Sequence, residues 1–337
     1  MNHELAMKVA NAVLYEGYML YPYRQSAMKN RQRWSFGILY PPAYHEVAAE
    51  TERAQMHSEI LARASGDAVV HIELRFLHLA THEVAEKEEE RAAAVASSLL
   101  VDGKLVESRD EGVERSVQFE TAPGAPQFHD FCFPALKGSE RLTTQQGQVV
   151  GQVTRTQREV KGTISLSAAK VKEDVIKLTI DVTNTSSLTD DPHDRGSALL
   201  TSLLSAHTIL SITGGEFVSL LDPPDDLRQE VSECSNLGNC PVLVGAEGER
   251  DMMLCSPIVL YDYPQIAPES AGDFFDGTEM DEMLTLRVMT LTDEEKSAML
   301  SADDRVRNLL QRTEAGAREQ LMRTHGTIRS LRQVNEP

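Results

Sequence analysis

Ser26-Ala-Met-Lys29 sets a hydroxyl three positions ahead of an amine. On a helix that spacing places the lysine one turn from the serine, where a neutral amine takes the hydroxyl proton and leaves a nucleophile. Chemistry of this S-x-x-K kind also needs S-x-N and K-T-G elements. Neither follows in order, and Lys161-Gly162-Thr163 carries the letters transposed. The alternative reading of the motif is a basic turn.

The same stretch reads differently as a surface. Arg24, Lys29, Arg31 and Arg33 lie within ten positions, flanked by Tyr18, Tyr21, Tyr23, Trp34, Phe36 and Tyr40. Arginine and aromatic side chains bury area at low entropic cost, and arginine pairs bidentately, so this composition fits a partner-binding surface. It equally fits an internal role, with the cations paired to acids of the body and the rings anchoring the arm.

Downstream, Asp273, Asp276 and Glu279 belong to an acidic run, DFFDGTEMDEM, that lacks the D-x-D-x-D-G order of a calcium loop. It reads as a partner-facing acidic patch or a solvated loop. Four cysteines, Cys132, Cys234, Cys240 and Cys255, have no trusted zinc spacing, since Cys234 and Cys240 are separated by five residues. They read as free thiols in a reducing compartment, and a metal carrier that gathers all four is an alternative. His78 and His82 have helical chelate spacing but sit in a stretch that reads as strand. His207 reads as a core histidine. Asp190, Asp191, His193 and Asp194 read as a solvated turn, with Asp194 a helix N-cap. No metal, cofactor or catalytic set is expected from these patterns.

The elements that must position these groups are mostly strands. The chain has 337 residues, 41% hydrophobic and 25% charged, a globular composition. Its net charge of −19 repels phosphate backbones and anionic lipid and favours basic partners. A nucleic-acid partner is therefore not expected. The longest apolar stretch, residues 197–212, is broken by Ser and Thr and is too short to span a membrane. Glu4, Lys8, Asn11 and Glu16 interrupt what would be the apolar core of a secretory leader, so a cytoplasmic protein is expected.

Periodicity predicts helices over residues 4–20, 46–64 and 196–210. It predicts strands over residues 68–80, 97–105, 113–120, 148–155, 160–168, 174–183, 241–245 and 253–260. A capping box at Thr292–Glu295 opens a polar helical C-terminus. The fold class is α+β, mainly antiparallel β, as a sandwich or curved sheet with peripheral helices and a helical C-terminus. The expected organisation is an N-terminal segment (1–66) with the aromatic-basic turn packed on the body, a β-rich body (67–290) and polar helices (291–330).

Several blocks together carry a resemblance: LYEGYMLYPYRQSAMKNRQRWSFGILYP, HTILSITGGEFVSLLDPP, PIVLYDYPQIAPESAGDFFDGTEMDEMLTLRVMTLTDEEK and TIRSLR. They resemble a poorly characterised bacterial family associated with gene clusters for uptake nickel–iron hydrogenases. The resemblance implies a non-catalytic accessory or assembly protein acting by protein–protein contact, with a hydrogenase or its maturation machinery as partner. It carries no catalytic residues onto this chain. The rival reading is a hydrolase-like enzyme with a pocket lined by several of Arg24, Lys29, His193, Asp276 and Glu279.

Overall fold

Thirty-two consecutive residues, Gln55–Glu86, form one strand, β1, around which the described residues are organised. The structure, a computed structural model, describes residues 2–15, 36–86 and 94–265. The chain divides into two units, residues 1–18 with 32–265 and residues 19–31 with 266–337, and the described residues all belong to the first.

Along β1 the even-numbered positions Met56, Ile60, Ala62, Val70, Ile72, Leu74 and Phe76 are buried in one core, as the two-residue repeat of a strand requires. His57, Glu59, His71 and Glu73 alternate with them on the other face. The helix expected over residues 46–64 is therefore replaced by strand from Gln55 onward. The short helix α2 (Pro42–His45) ends before that range begins. The absence of Pro and Gly from residues 46–64 was no helix signal, because the alternation Met56-His57-Ser58-Glu59-Ile60 suits a pleated surface with one face buried.

β1 is long enough to serve two sets of partners. The other strands are β2 (Ala94–Ala96), β3 (Ser98–Val101), β4 (Lys104–Glu107), β5 (Arg109–Thr121), β6 (Gln127–Phe133), β7 (Leu136–Thr143), β8 (Val149–Gln157), β9 (Val160–Lys170), β10 (Val175–Asn184), β11 (Leu204–Phe217), β12 (Asn236–Leu237), β13 (Cys240–Leu243) and β14 (Met252–Ser256). Along one edge of β1, β10 pairs with residues 55–63 and β5 with residues 70–82. Along the other, β11 pairs with residues 62–77 and β8 with residues 80–86. All these pairings are antiparallel, and β9 and β6 extend the sheet beyond β10.

The register against β11 slips between Ala64 and Val69, where β1 turns a corner. The two halves then curl toward each other as a half-barrel. Phe76, on the second half, meets Phe131 and Phe133 of β6 at ring distances of 6.0 and 5.7 Å. The architecture is thus mainly antiparallel β with a curved sheet. β6 and β7 were not expected from the sequence. β7 is exposed on almost every residue, and its Lys137, Glu140 and Arg141 suit an edge strand that resists pairing with other chains.

The helix expected over residues 196–210 is confined to Arg195–Leu199 (α3). Asp194 caps it, its carboxylate accepting from the backbone of Gly196 and Ser197 at 3.0 and 3.3 Å. From Leu204 the chain is β11, buried on both faces over its first half. Burial on both faces erases the polar alternation, so the run carries no strand signal in the sequence. A short helix, α4 (Arg228–Ser232), follows further on.

The covering element on the convex face is α1 (Asn2–Tyr15). Its Ala6, Val9, Ala10 and Val13 pack on Ile209, Val242, Met252 and Leu254 of β11, β13 and β14 and on Val244 just after β13. The first turn is tied down by Asn2, which donates to Asp251 and accepts from the Ala246 backbone. Further along, Arg75 donates to Asn11 at 2.8 Å and reaches Glu114 at 3.4 Å. Among the described residues no helix is long and apolar enough to cross a membrane.

Candidate functional site

The residues singled out for partner binding, Tyr21, Tyr23, Arg24, Lys29, Arg31, Arg33, Trp34, Asp273, Asp276 and Glu279, lie outside the described residues, as do Ser26 and the helices expected beyond residue 291. His193 lies exposed in the turn before α3, its backbone donating to Asp191 at 2.9 Å.

The four cysteines are free. Cys132 is exposed on β6, while Cys255 is buried on β14. Cys240 and Cys255 occupy neighbouring register positions on paired strands, hence opposite faces. Among the described residues no three His, Cys, Asp or Glu side chains gather as a metal site.

The concave face holds a polar seam where β1 exchanges β11 for β8. His78, fully buried, faces the same side as Phe76 and Arg115. Arg115 donates to Gln157 Oε1 at 3.2 Å and lies 4.9 Å over the Phe133 ring. Two positions along the same face, His82 meets Glu111 at 2.7 Å, with Arg155 3.5 Å from that carboxylate. Hydrogen bonding to His82 holds the Glu111 carboxyl below its ordinary range. His82 is engaged by Glu111, whereas both ring nitrogens of His78 are buried without a hydrogen-bond partner, so the two do not form a chelate.

Burial, reinforced by the charge of Arg115, pushes His78 down to about 4. Burial does the same to His207, on β11, down to about 4, although its ring donates to the Ser205 carbonyl at 2.8 Å. Both are neutral in the folded chain but take up protons near pH ~6.5 once unfolded. The unfolded chain then binds more protons below that pH, so stability is complete above about 6.5 and falls as pH drops toward 4. Each histidine contributes at most about 3 kcal/mol to this loss. Urea midpoints followed from pH 7.5 to 4 should show the decline, and His78→Gln with His207→Gln should flatten it. An unchanged slope in that double variant would place the acid sensitivity elsewhere.

On the convex face, beside α1, lies an open groove of about 560 Å³. Its floor is β11 and β14, where Ile209 and Met252 are apolar and Ser211 and Thr213 are short. Cross-strand register sets the rest. His71 stands opposite Ser211 on one side and Glu120 on the other, and Glu73 stands between Ile209 and Gln118. The N-terminal turn of α1 raises one wall through His3, beside Asp251.

His71, Glu120 and Glu73 each have a visible support. His71 Nδ1 is 3.1 Å from Glu120. Glu73 accepts from Ser116 at 2.9 Å and lies 3.9 Å from Arg75. Three carboxylates, two imidazoles and an aliphatic floor make a surface complementary to a cation with a hydrocarbon stem.

None of these groove residues was singled out from sequence. The available signal was HTILSITGG: Ile209, Ser211 and Thr213 share a face only on a strand, and reading the run as a helix scattered them.

No family profile and no curated protein matches the chain. Solved structures similar to it include the secretin InvG of the Salmonella SPI-1 type III secretion injectisome in the open gate state (residues 176 to the end), at 12% identity over 60% of this chain and 51% of that one, with a TM-score of 0.13. The InvG secretin domain β-barrel from the injectisome NC-base matches at 10% identity over 78% of this chain and 76% of that one, with a TM-score of 0.15. The chain spans about half the length of the first of these structures. Likenesses this slight define neither a fold nor a function.

Proposed function

We propose that this chain is a non-catalytic accessory or assembly protein of the cytoplasm that works by protein–protein contact, with a nickel–iron hydrogenase or its maturation machinery as partner. The partner rests on the family resemblance described above. The observation that supports contact as the mode of action is the groove on the convex face, a hollow with an apolar floor and a rim of carboxylates in a chain of net charge −19. Such a surface offers shape and charge to a partner at once. One of the blocks that carries the resemblance, residues 207–224, contains Ile209, Ser211 and Thr213 of the groove floor.

The test is affinity capture of the full chain from its native host under gentle salt, with the captured proteins identified by mass spectrometry. Hydrogenase subunits or maturation proteins should be recovered in amounts comparable to the bait. Recovery of neither, from cells making active hydrogenase, would sink the proposed partner.

A further inference from the structure

The groove on the convex face points to a specific kind of occupant. We infer that it seats an extended, lysine- or arginine-bearing segment of the protein partner, one cationic side chain lying along the floor with its head among Glu73, Glu120 and Asp251. This inference rests on the contact function proposed above and names the chemistry of that same surface.

Three observations converge on it. First, the three carboxylates lie on three different segments, β1, β5 and the turn before β14, yet line one hollow, and none of the described residues lining it is Lys or Arg. The nearby Arg75 does not saturate them: its Nε lies 3.9 Å from Glu73, while its two terminal nitrogens are engaged by Asn11 and Glu114. Second, the floor at Ile209 and Met252 is apolar. A bare metal ion or a small polar solute gains nothing from such a floor, whereas the methylene stem of lysine or arginine does. Third, the hollow is open and about 560 Å³, the size of a few side chains. A segment crossing it sets a long side chain down the trough and its backbone across the rim, where Gln118 offers hydrogen bonds. The net charge of the chain draws such a segment in, and the groove selects it.

The test uses the purified full chain and two fluorescein-labelled eight-residue peptides, one alternating lysine with serine and one alternating aspartate with serine, read by fluorescence anisotropy. The lysine peptide should bind and the aspartate peptide should not. Glu120→Lys reverses a rim charge, and Thr213→Trp fills the floor; both positions are exposed, so folding should survive, as a melting curve will show. Each should weaken the lysine peptide by about tenfold or more. Glu140→Lys, the same charge change on β7, should leave binding within about twofold.

Equal weakening by all three variants would mean that the general negative field, not the groove, attracts the peptide, and the inference falls. No binding of the lysine peptide overturns it too. If native capture recovers hydrogenase proteins with Glu120→Lys and Thr213→Trp as well as with the unaltered chain, the contact function stands and the groove does not. If the groove variants lose the peptide but the unaltered chain captures no hydrogenase protein, the groove stands and the partner does not.

Discussion

Gly162→Ala should destabilise the protein by about 3 kcal/mol, a large cost for one methyl group. A Cβ on Gly162 would lie 2.3 Å from Phe131 Cζ and 2.7 Å from the Thr183 carbonyl oxygen. Neither neighbour can yield cheaply. The Thr183 carbonyl belongs to the β9–β10 ladder, in which Gly162 stands opposite Asn184. Phe131 is held between Phe76 and Phe133, at ring distances of 6.0 and 6.2 Å. Gly138 on β7 is the matched control, since nothing lies within 4 Å of where its Cβ would be. Alanine there should change stability by less than about 0.5 kcal/mol. Urea unfolding of both variants decides the matter, and equal effects would mean that the curl of the sheet is looser around Phe131 than described.

Asn184 should be as intolerant, for a different reason. It is fully buried at the end of β10. Its amide donates to the carbonyls of Leu39 and Thr201 at 2.8 and 2.9 Å, and its side-chain oxygen accepts from the Ser186 backbone at 2.8 Å. One side chain thus ties the segment before α2 and the turn after α3 to the sheet. Asn184→Ala removes three hydrogen bonds and leaves buried backbone groups short of partners, a loss of about 3 kcal/mol. Asn184→Asp should be worse at neutral pH, because a carboxylate offers no donor and faces two carbonyl oxygens. Protonation restores a donor, so the aspartate variant should close part of its gap to the alanine variant as pH falls toward 5. Melting temperatures of the two variants at pH 7.5 and 5 measure this, and an aspartate variant as stable as the unaltered chain at pH 7.5 would refute the assigned bonding.

What could be seen in advance followed from which faces are buried. β9 and β10 were legible because one face is core and the other is wet, so Ile164, Leu166, Ile180 and Val182 alternate with Ser165, Thr179 and Asp181. β11 was not, because α1 covers the face that would otherwise be polar. β7 was not either, for the opposite reason: with both faces in water it has no pattern to show. The Asp194 cap was legible because capping is local. The groove was hidden by distance along the chain. His71, Gln118, Ser211 and Asp251 become neighbours only through strand pairings that no spacing rule specifies.

The length of β1 also bears on how the chain comes to be folded. Its first half pairs Met56 with Val182, and its corner pairs Val70 with Ile212. A nascent chain carries β1 complete long before β10 and β11 exist to close its edges. During that interval an apolar strand with unpaired N–H and C=O groups offers itself to any neighbouring chain. Contacts so remote in sequence slow the search for the native arrangement. Truncation ahead of Phe217 should consequently yield aggregates rather than a smaller domain, and synthesis in the cell should benefit from a holding chaperone until β11 emerges.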